Sequence, residues 1–158
     1  MTLGTLARTA GLIGIGYEGR SIDEFVRDLV GQEVARLVDI RMNPISRKRG
    51  FSKTALGQAL SAAGIVYEHR RELGNPKQNR AGFGGSSEEL AEARSTFRAW
   101  IANPHAAEAL DELAETVQEE RVAILCFEAD QQRCHRDVVI SELSSRLATS
   151  AGSTRQAR

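Results

Sequence analysis

Cysteine is scarce in this chain of 158 residues, which holds only Cys126 and Cys134. A small disulfide scaffold would need more of them in a shorter chain, so a reducing, cytoplasmic setting is expected. Net charge is absent too: 21 Lys and Arg balance 21 Asp and Glu. That argues against a histone-like protein that coats nucleic acid. No stretch approaches the roughly 20 apolar residues of a membrane span, so no membrane partner is expected. The first ten residues carry no apolar run of signal-peptide length.

What is present fits one ordinary domain, with 41% hydrophobic and 27% charged residues. The charge is unevenly spread. Residues 36–80 carry ten basic and three acidic side chains, while residues 88–130 carry three basic and eleven acidic ones. Such a split points to a local anion site on a neutral body.

Strand and helix signals alternate. Residues 11–16 form a glycine-rich apolar run and read as a buried first strand. Ser21 and Glu24 make a capping box for a helix to about Val30, with Ile22, Phe25, Val26 and Leu29 on one face. Residues 34–40 read as a second strand, and 41–50 as a loop holding a basic run and the Asn43-Pro44 turn signal. Ser52 is expected to cap a helix to Ala62, and residues 65–67 give a short third strand. The loop at 70–87 is long enough to be functional or disordered. Ser87 is expected to cap a helix to about Ala102 that buries Phe97 and Trp100. Asn103 and Pro104 suit the N-cap and first position of the next, to about Gln118. Residues 121–127 read as a central strand, and 134–147 as a last helix with Val138, Val139, Leu143 and Leu147 inward. The domain then spans 11–148, between a frayed start at 1–10 and a disordered tail at 149–158. This order predicts a single-domain three-layer α/β sandwich of the Rossmann or flavodoxin-like kind, a mainly parallel sheet with helices on both faces.

In such sheets ligands bind outside the carboxyl ends of the strands. The unusual residues fall there. Tyr17 follows the first strand, and Asp39, Arg41 and Ser46 end or follow the second. His69 and Arg70 follow the third, and Glu128 with Cys134-His135-Arg136 follows the fourth. A thiol at a helix N-terminus beside His and Arg ionises more easily, so Cys134 is a candidate nucleophile or redox thiol. Arg136 suits a phosphate or carboxylate held by two hydrogen bonds, with Arg41, Arg70, Ser46 and Tyr17 as further substrate contacts. Glu128, Asp39 and His135 are the candidate acid/base groups; Asp39 and Arg41, two apart on a strand, equally suit a structural pair. Cys126 is an inert core thiol, a resolving partner for Cys134, or a metal ligand together with Cys134 and His135. No metal or cofactor is assigned, because C-x7-C followed at once by His is no standard zinc spacing, and adjacent ligands on one helical turn would diverge. Gly14-x-Gly16-x-x-Gly19 fits a dinucleotide fingerprint in letters only, since its glycines begin inside the strand.

The same residues carry a resemblance. Residues 15–20, Leu37-Val38-Asp39-Ile40-Arg41 with Pro44 and Ser46, residues 64–67 followed by Leu73-Gly74, and Cys126-x-Glu128 followed by Cys134-His135-Arg136 resemble the signature blocks of the domain of unknown function 488 family. The resemblance implies a compact bacterial or archaeal α/β domain and supplies no reaction. From chemistry alone, an enzyme acting on a small phosphorylated or nucleotide-like anion is expected, with residues 74–87 as a lid. Two alternatives stand beside it. One is a nucleic-acid binding or processing protein that uses the basic loops. The other is a sensor that reads a ligand or the redox state of its cysteines.

Overall fold

The computed structural model of the chain describes residues 10–156, with side chains through 149. The expected frayed start lies mostly outside the described residues. Four strands, β1 (Gly11–Gly16), β2 (Arg36–Asp39), β3 (Val66–His69) and β4 (Arg121–Cys126), form one parallel sheet in the order β1-β4-β2-β3. Helices α1 (Ile22–Gly31) and α2 (Lys53–Ala62) connect β1 to β2 and β2 to β3. Helices α3 (Ser87–Trp100) and α4 (Pro104–Glu119) lead from β3 to β4, and α5 (Arg136–Gln156) follows β4.

Period-two alternation along the strands sorts the core into two halves. Leu37, Ala123, Leu125 and Ile15 pack with Phe25 and Leu29 of α1 and with Leu56 and Leu60 of α2. Val38, Val122, Ile124 and Cys126 pack on the other face, with Phe97 of α3, Leu110 and Leu113 of α4, and Val138, Val139 and Leu143 of α5. The expected α/β sandwich is therefore what the chain builds, with two helices on one face of the sheet and three on the other.

Several local expectations shift. The cap of α3 is Ser86, not Ser87: its hydroxyl accepts from the Glu89 amide while the Glu89 carboxylate accepts from the Ser86 amide. Trp100 is 46% exposed, because the buried stripe of α3 passes from Phe97 to Ile101. Ser52 occupies the N-cap of α2, but its hydroxyl bonds the backbone of Ser46 instead of the helix. Helix α5 continues to Gln156, through most of the segment expected to be a disordered tail. The stretch between β3 and α3 is not open loop: it winds through short helical turns at Arg71–Leu73, Lys77–Asn79 and Ala81–Gly84, and buries Leu73 and Phe83.

Topology decides where a ligand fits. Chain leaving β1 and β2 passes to α1 and α2 on one face, while chain leaving β4, between them, passes to α5 on the other. A crevice opens at the carboxyl ends where neighbouring connections part in this way. Gly16 lets the chain after β4 close that crevice, since a Cβ there would collide with the Glu128 carbonyl oxygen and press on the Arg136 guanidinium. Gly16 thus serves close approach of the Glu128 backbone, Gly14 makes room for the Gln131 and Ile140 side chains, and Gly19 serves a left-handed turn at φ 76°.

Candidate functional site

A cavity of about 180 Å³ opens at this edge. Tyr17 enters it from the end of β1, and Arg41, Met42, Asn43 and Ile45 from the end of β2. Asn75, Arg80 and Phe83 line it from the segment after β3. Cys126, Phe127 and Glu128 come from the end of β4, and Cys134 and His135 from the approach to α5.

The floor is a buried ionic group. Asp39 has no exposed surface, and it takes Nε and Nη2 of Arg41 on its two oxygens at 2.9 and 2.8 Å. It also accepts from the Arg41 amide at 3.1 Å and from the Tyr67 hydroxyl at 2.6 Å. Arg41 donates a third side-chain bond to the Tyr17 hydroxyl at 3.1 Å, and stacking of Tyr17 on Phe51 at 4.5 Å fixes that ring. A guanidinium has five N–H groups, so two remain after these three bonds. Burial works against the Arg41 charge, but the hydrogen bonds and charge of Asp39 outweigh it and raise the pKa above the ordinary arginine value. For Tyr67, burial and the bond to Asp39 push the phenol well up, so it stays a neutral donor. Asp39 itself does not reach the cavity, and it acts here by holding Arg41 in place.

The wall opposite carries the sulfur atoms. Cys126 ends β4 level with Gly16 and is 1% exposed, as is Cys134. Their Sγ atoms are in bonding contact, while their Cα atoms stand 7.2 Å apart, wider than a disulfide usually spans. Nδ1 of His135 lies 4.0 Å from Sγ of Cys134. On the far side of the ring, Nε2 is 2.9 Å from the Ile40 carbonyl oxygen. Only a protonated Nε2 can donate there, so the neutral ring presents a bare lone pair at Nδ1. Burial lowers the His135 pKa to about 4, which keeps the ring neutral. The ring is further held edge-on to Phe97, 5.1 Å between centroids.

Sequence reasoning placed Cys134 and His135 inside the last helix, where adjacent side chains diverge. In the structure α5 starts at Arg136, after a short turn at Gln131–Arg133, and Cys134 is extended at φ −136°, ψ 143°. There Nδ1 of His135 lies 4.0 Å from Sγ of Cys134.

Glu128 sits beside the pair, its Oε2 3.4 Å from Sγ of Cys126, and burial holds its carboxyl above the usual range. Arg136 does not line the cavity. It is 2% exposed, and its guanidinium donates to the carbonyls of Glu128 at 2.6 Å and Ala129 at 3.3 Å, with Nη1 3.4 Å from Sγ of Cys126. Its Nε has no partner among the described residues, and burial lowers its pKa. The expected anion-binding arginine instead holds the chain that follows β4.

Two further expected contacts lie elsewhere. Arg70 is committed to Glu68 and Glu112, and the Ser46 hydroxyl accepts from the Lys48 amide. His69 uses Nε2 on the Arg41 carbonyl, 2.7 Å away, and so supports the exit of β2. The stretch expected to close as a lid is a packed wall. Arg133 donates to the carbonyls of Phe83 and Gly85 at 3.2 and 2.9 Å, and the Asn79 amide donates to the Asn75 side chain and the Ala93 carbonyl.

Asn75 and Arg80 were not assigned as substrate contacts of the enzyme, yet both line the cavity. Among the described residues Arg80 spends only Nε, on the Asn75 carbonyl at 3.3 Å. No pattern in the sequence marks the asparagine, since all three prolines of the chain follow one and Asn103-Pro104 only starts a helix.

Among the described residues, no helix is long and apolar enough to cross a membrane. No curated protein and no solved structure matches the chain. The family model described as "Domain of unknown function DUF488" matches residues 21–143, which takes in β2, β3, β4 and every residue of the cavity except Tyr17, and the chain belongs to that family.

Proposed function

We propose that this protein is an enzyme acting on a small phosphorylated or nucleotide-like anion, with Cys134 as its reactive thiol. The carrying observation is that Cys134 and the lone pair of His135, 4.0 Å apart, share one cavity with the guanidiniums of Arg41 and Arg80. The two N–H groups left on Arg41 and the terminal ones of Arg80 hold the anionic group. Once a thiol reductant has opened the Cys126–Cys134 bond, Sγ of Cys134 passes its proton to Nδ1 of His135 as it attacks the neighbouring electrophilic carbon or phosphorus. A bond from sulfur to that atom forms as the bond to the leaving group breaks, and the leaving group departs with the proton from His135. Water then releases the bound half.

The test is thermal shift of the reduced protein against phosphates, nucleotides and short oligonucleotides, beside Arg80→Ala. A ligand at about 100 times its Kd adds about 2.7 kcal/mol, which raises Tm by about 5–10 °C at this chain length. The expected result is such a shift from a small anion, lost in Arg80→Ala, together with loss of turnover in folded Cys134→Ser. A shift from no anion, or one indifferent to Arg80, overturns the reading.

One observation favours a second reading, nucleic-acid binding. Arg47, Lys48 and Arg49 have no ion pair among the described residues, and they share the loop after β2 with Ile45 at the cavity. Three phosphate contacts predict that the logarithm of oligonucleotide affinity falls with the logarithm of salt at a slope of roughly −2 to −3. Affinity that ignores salt contradicts it.

A further inference from the structure

We propose that Cys126, Cys134 and His135 form a binding site for a soft divalent cation of the zinc type, filled when both cysteines are reduced. The two Sγ atoms and a ring nitrogen of His135 lie within 4.8 Å of one another. Thiolate and imidazole are the donors such an ion prefers.

Three further features match a built site. Hydrogen bonding of Nε2 to the Ile40 carbonyl leaves Nδ1 as the free donor, the outer arrangement that orients metal-bound histidines. The Cα spacing of 7.2 Å leaves room between the cysteines: sulfurs at about 2.3 Å from a tetrahedral ion stand about 3.8 Å apart, so side-chain rotation alone makes the space. Finally, Cys126 is held in place, with Nη1 of the buried Arg136 and Oε2 of Glu128 each 3.4 Å from its Sγ. All three donors line the cavity, so a fourth position stays open to water or to a ligand, as in catalytic rather than structural sites.

Binding converts two thiols to metal-bound thiolates and releases two protons to solvent. It needs no electron transfer, and oxidation of the pair removes the site. The consequence for activity rests on the reading above: while the ion holds Cys134, that sulfur is not free to attack, so the cation gates the thiol.

The test uses the full, untagged chain, reduced and freed of metal, and titrated with Co²⁺ alone. One equivalent is expected to bind, with a thiolate-to-cobalt charge-transfer band that Zn²⁺ displaces. Cys126→Ser and His135→Ala are each expected to weaken binding by at least about tenfold. Wild type with its cysteines oxidised is the folded control if a variant fails to fold, and it is expected to give no band. Zn²⁺ is expected to block alkylation of Cys134 by iodoacetamide, and a chelator to restore it. No charge-transfer band in reduced wild type, equal affinity in folded His135→Ala, or alkylation indifferent to Zn²⁺ overturns the proposal. Protection of Cys134 by phosphate compounds in the metal-free protein is scored separately, so the anion reading survives or fails on its own.

Discussion

Replacing Asp39 by alanine probes the base of the cavity, and the structure sets the size of the effect. Asp39 has no exposed surface and Arg41 is 7% exposed, so the pair is shielded from water. Four hydrogen bonds end on the carboxylate, three from Arg41 and one from Tyr67. Alanine leaves a buried guanidinium with only the Tyr17 hydroxyl as partner, and strips the Tyr67 hydroxyl of its acceptor. Removing one member of a buried ion pair costs about 3–5 kcal/mol, a large share of the roughly 5–15 kcal/mol that holds a domain folded. At this length each kcal/mol moves Tm by about 2–4 °C, so Asp39→Ala should melt about 6–20 °C below wild type.

Urea denaturation with matched m-values is the quantitative assay. A double-mutant cycle with Arg41→Met isolates the pair, because methionine removes the charge that alanine strands. The double variant should recover part of the loss, with a coupling above about 1 kcal/mol. If Asp39→Ala costs under about 1 kcal/mol, the pair behaves as a solvated surface bridge, and the account of Arg41 as a fixed anion contact fails with it.

Two other substitutions test local readings. Ser86→Ala should cost about 1 kcal/mol by opening the capping box of α3, while Ser87→Ala, one residue inside the helix, should leave the urea midpoint nearly unchanged. Gly16→Ala should destabilise by about 1–3 kcal/mol, because the added methyl meets the backbone carbonyl of Glu128 and not a movable side chain. It should also raise the hydrogen exchange of the Tyr17 and Glu18 amides, both bonded to the Phe127 carbonyl.

What could be read from the sequence was whatever depends on short-range pattern. The apolar runs that became β1, β2 and β4, the Ser21 cap and the Asn103-Pro104 start all follow from rules spanning a few residues. Convergence of the strand exits also followed, since in a parallel sheet every exit faces the same way. What each side chain does once there could not be read. Arg136, at the start of the last helix, ends 2% exposed against carbonyl groups, while Arg80, in the stretch after β3, lines the cavity. No short-range rule gives that outcome for Arg136, because it depends on Gly16, far away in sequence, where a Cβ would meet the Glu128 carbonyl and the Arg136 guanidinium.

Strand order is the deeper reason. The sequence shows four strands but not that the last one enters between the first two. That insertion sets Cys126 beside Gly16 and brings residues 127–135 over the ends of β1 and β2. Only then does His135 find the Ile40 carbonyl, and only then is its Nδ1 turned toward Cys134. Had β4 been added outside β3, the Cys-His-Arg triplet would begin a helix with the same local sequence and no partner for the ring. The reactivity assigned to Cys134 therefore rests on topology as much as on its neighbours in sequence. In the reduced protein a variant that loosens the β1–β4 contact, such as Gly16→Ala, should shift the pH profile of Cys134 alkylation without touching any atom of the thiol or the imidazole, and an unchanged profile refutes the dependence on topology.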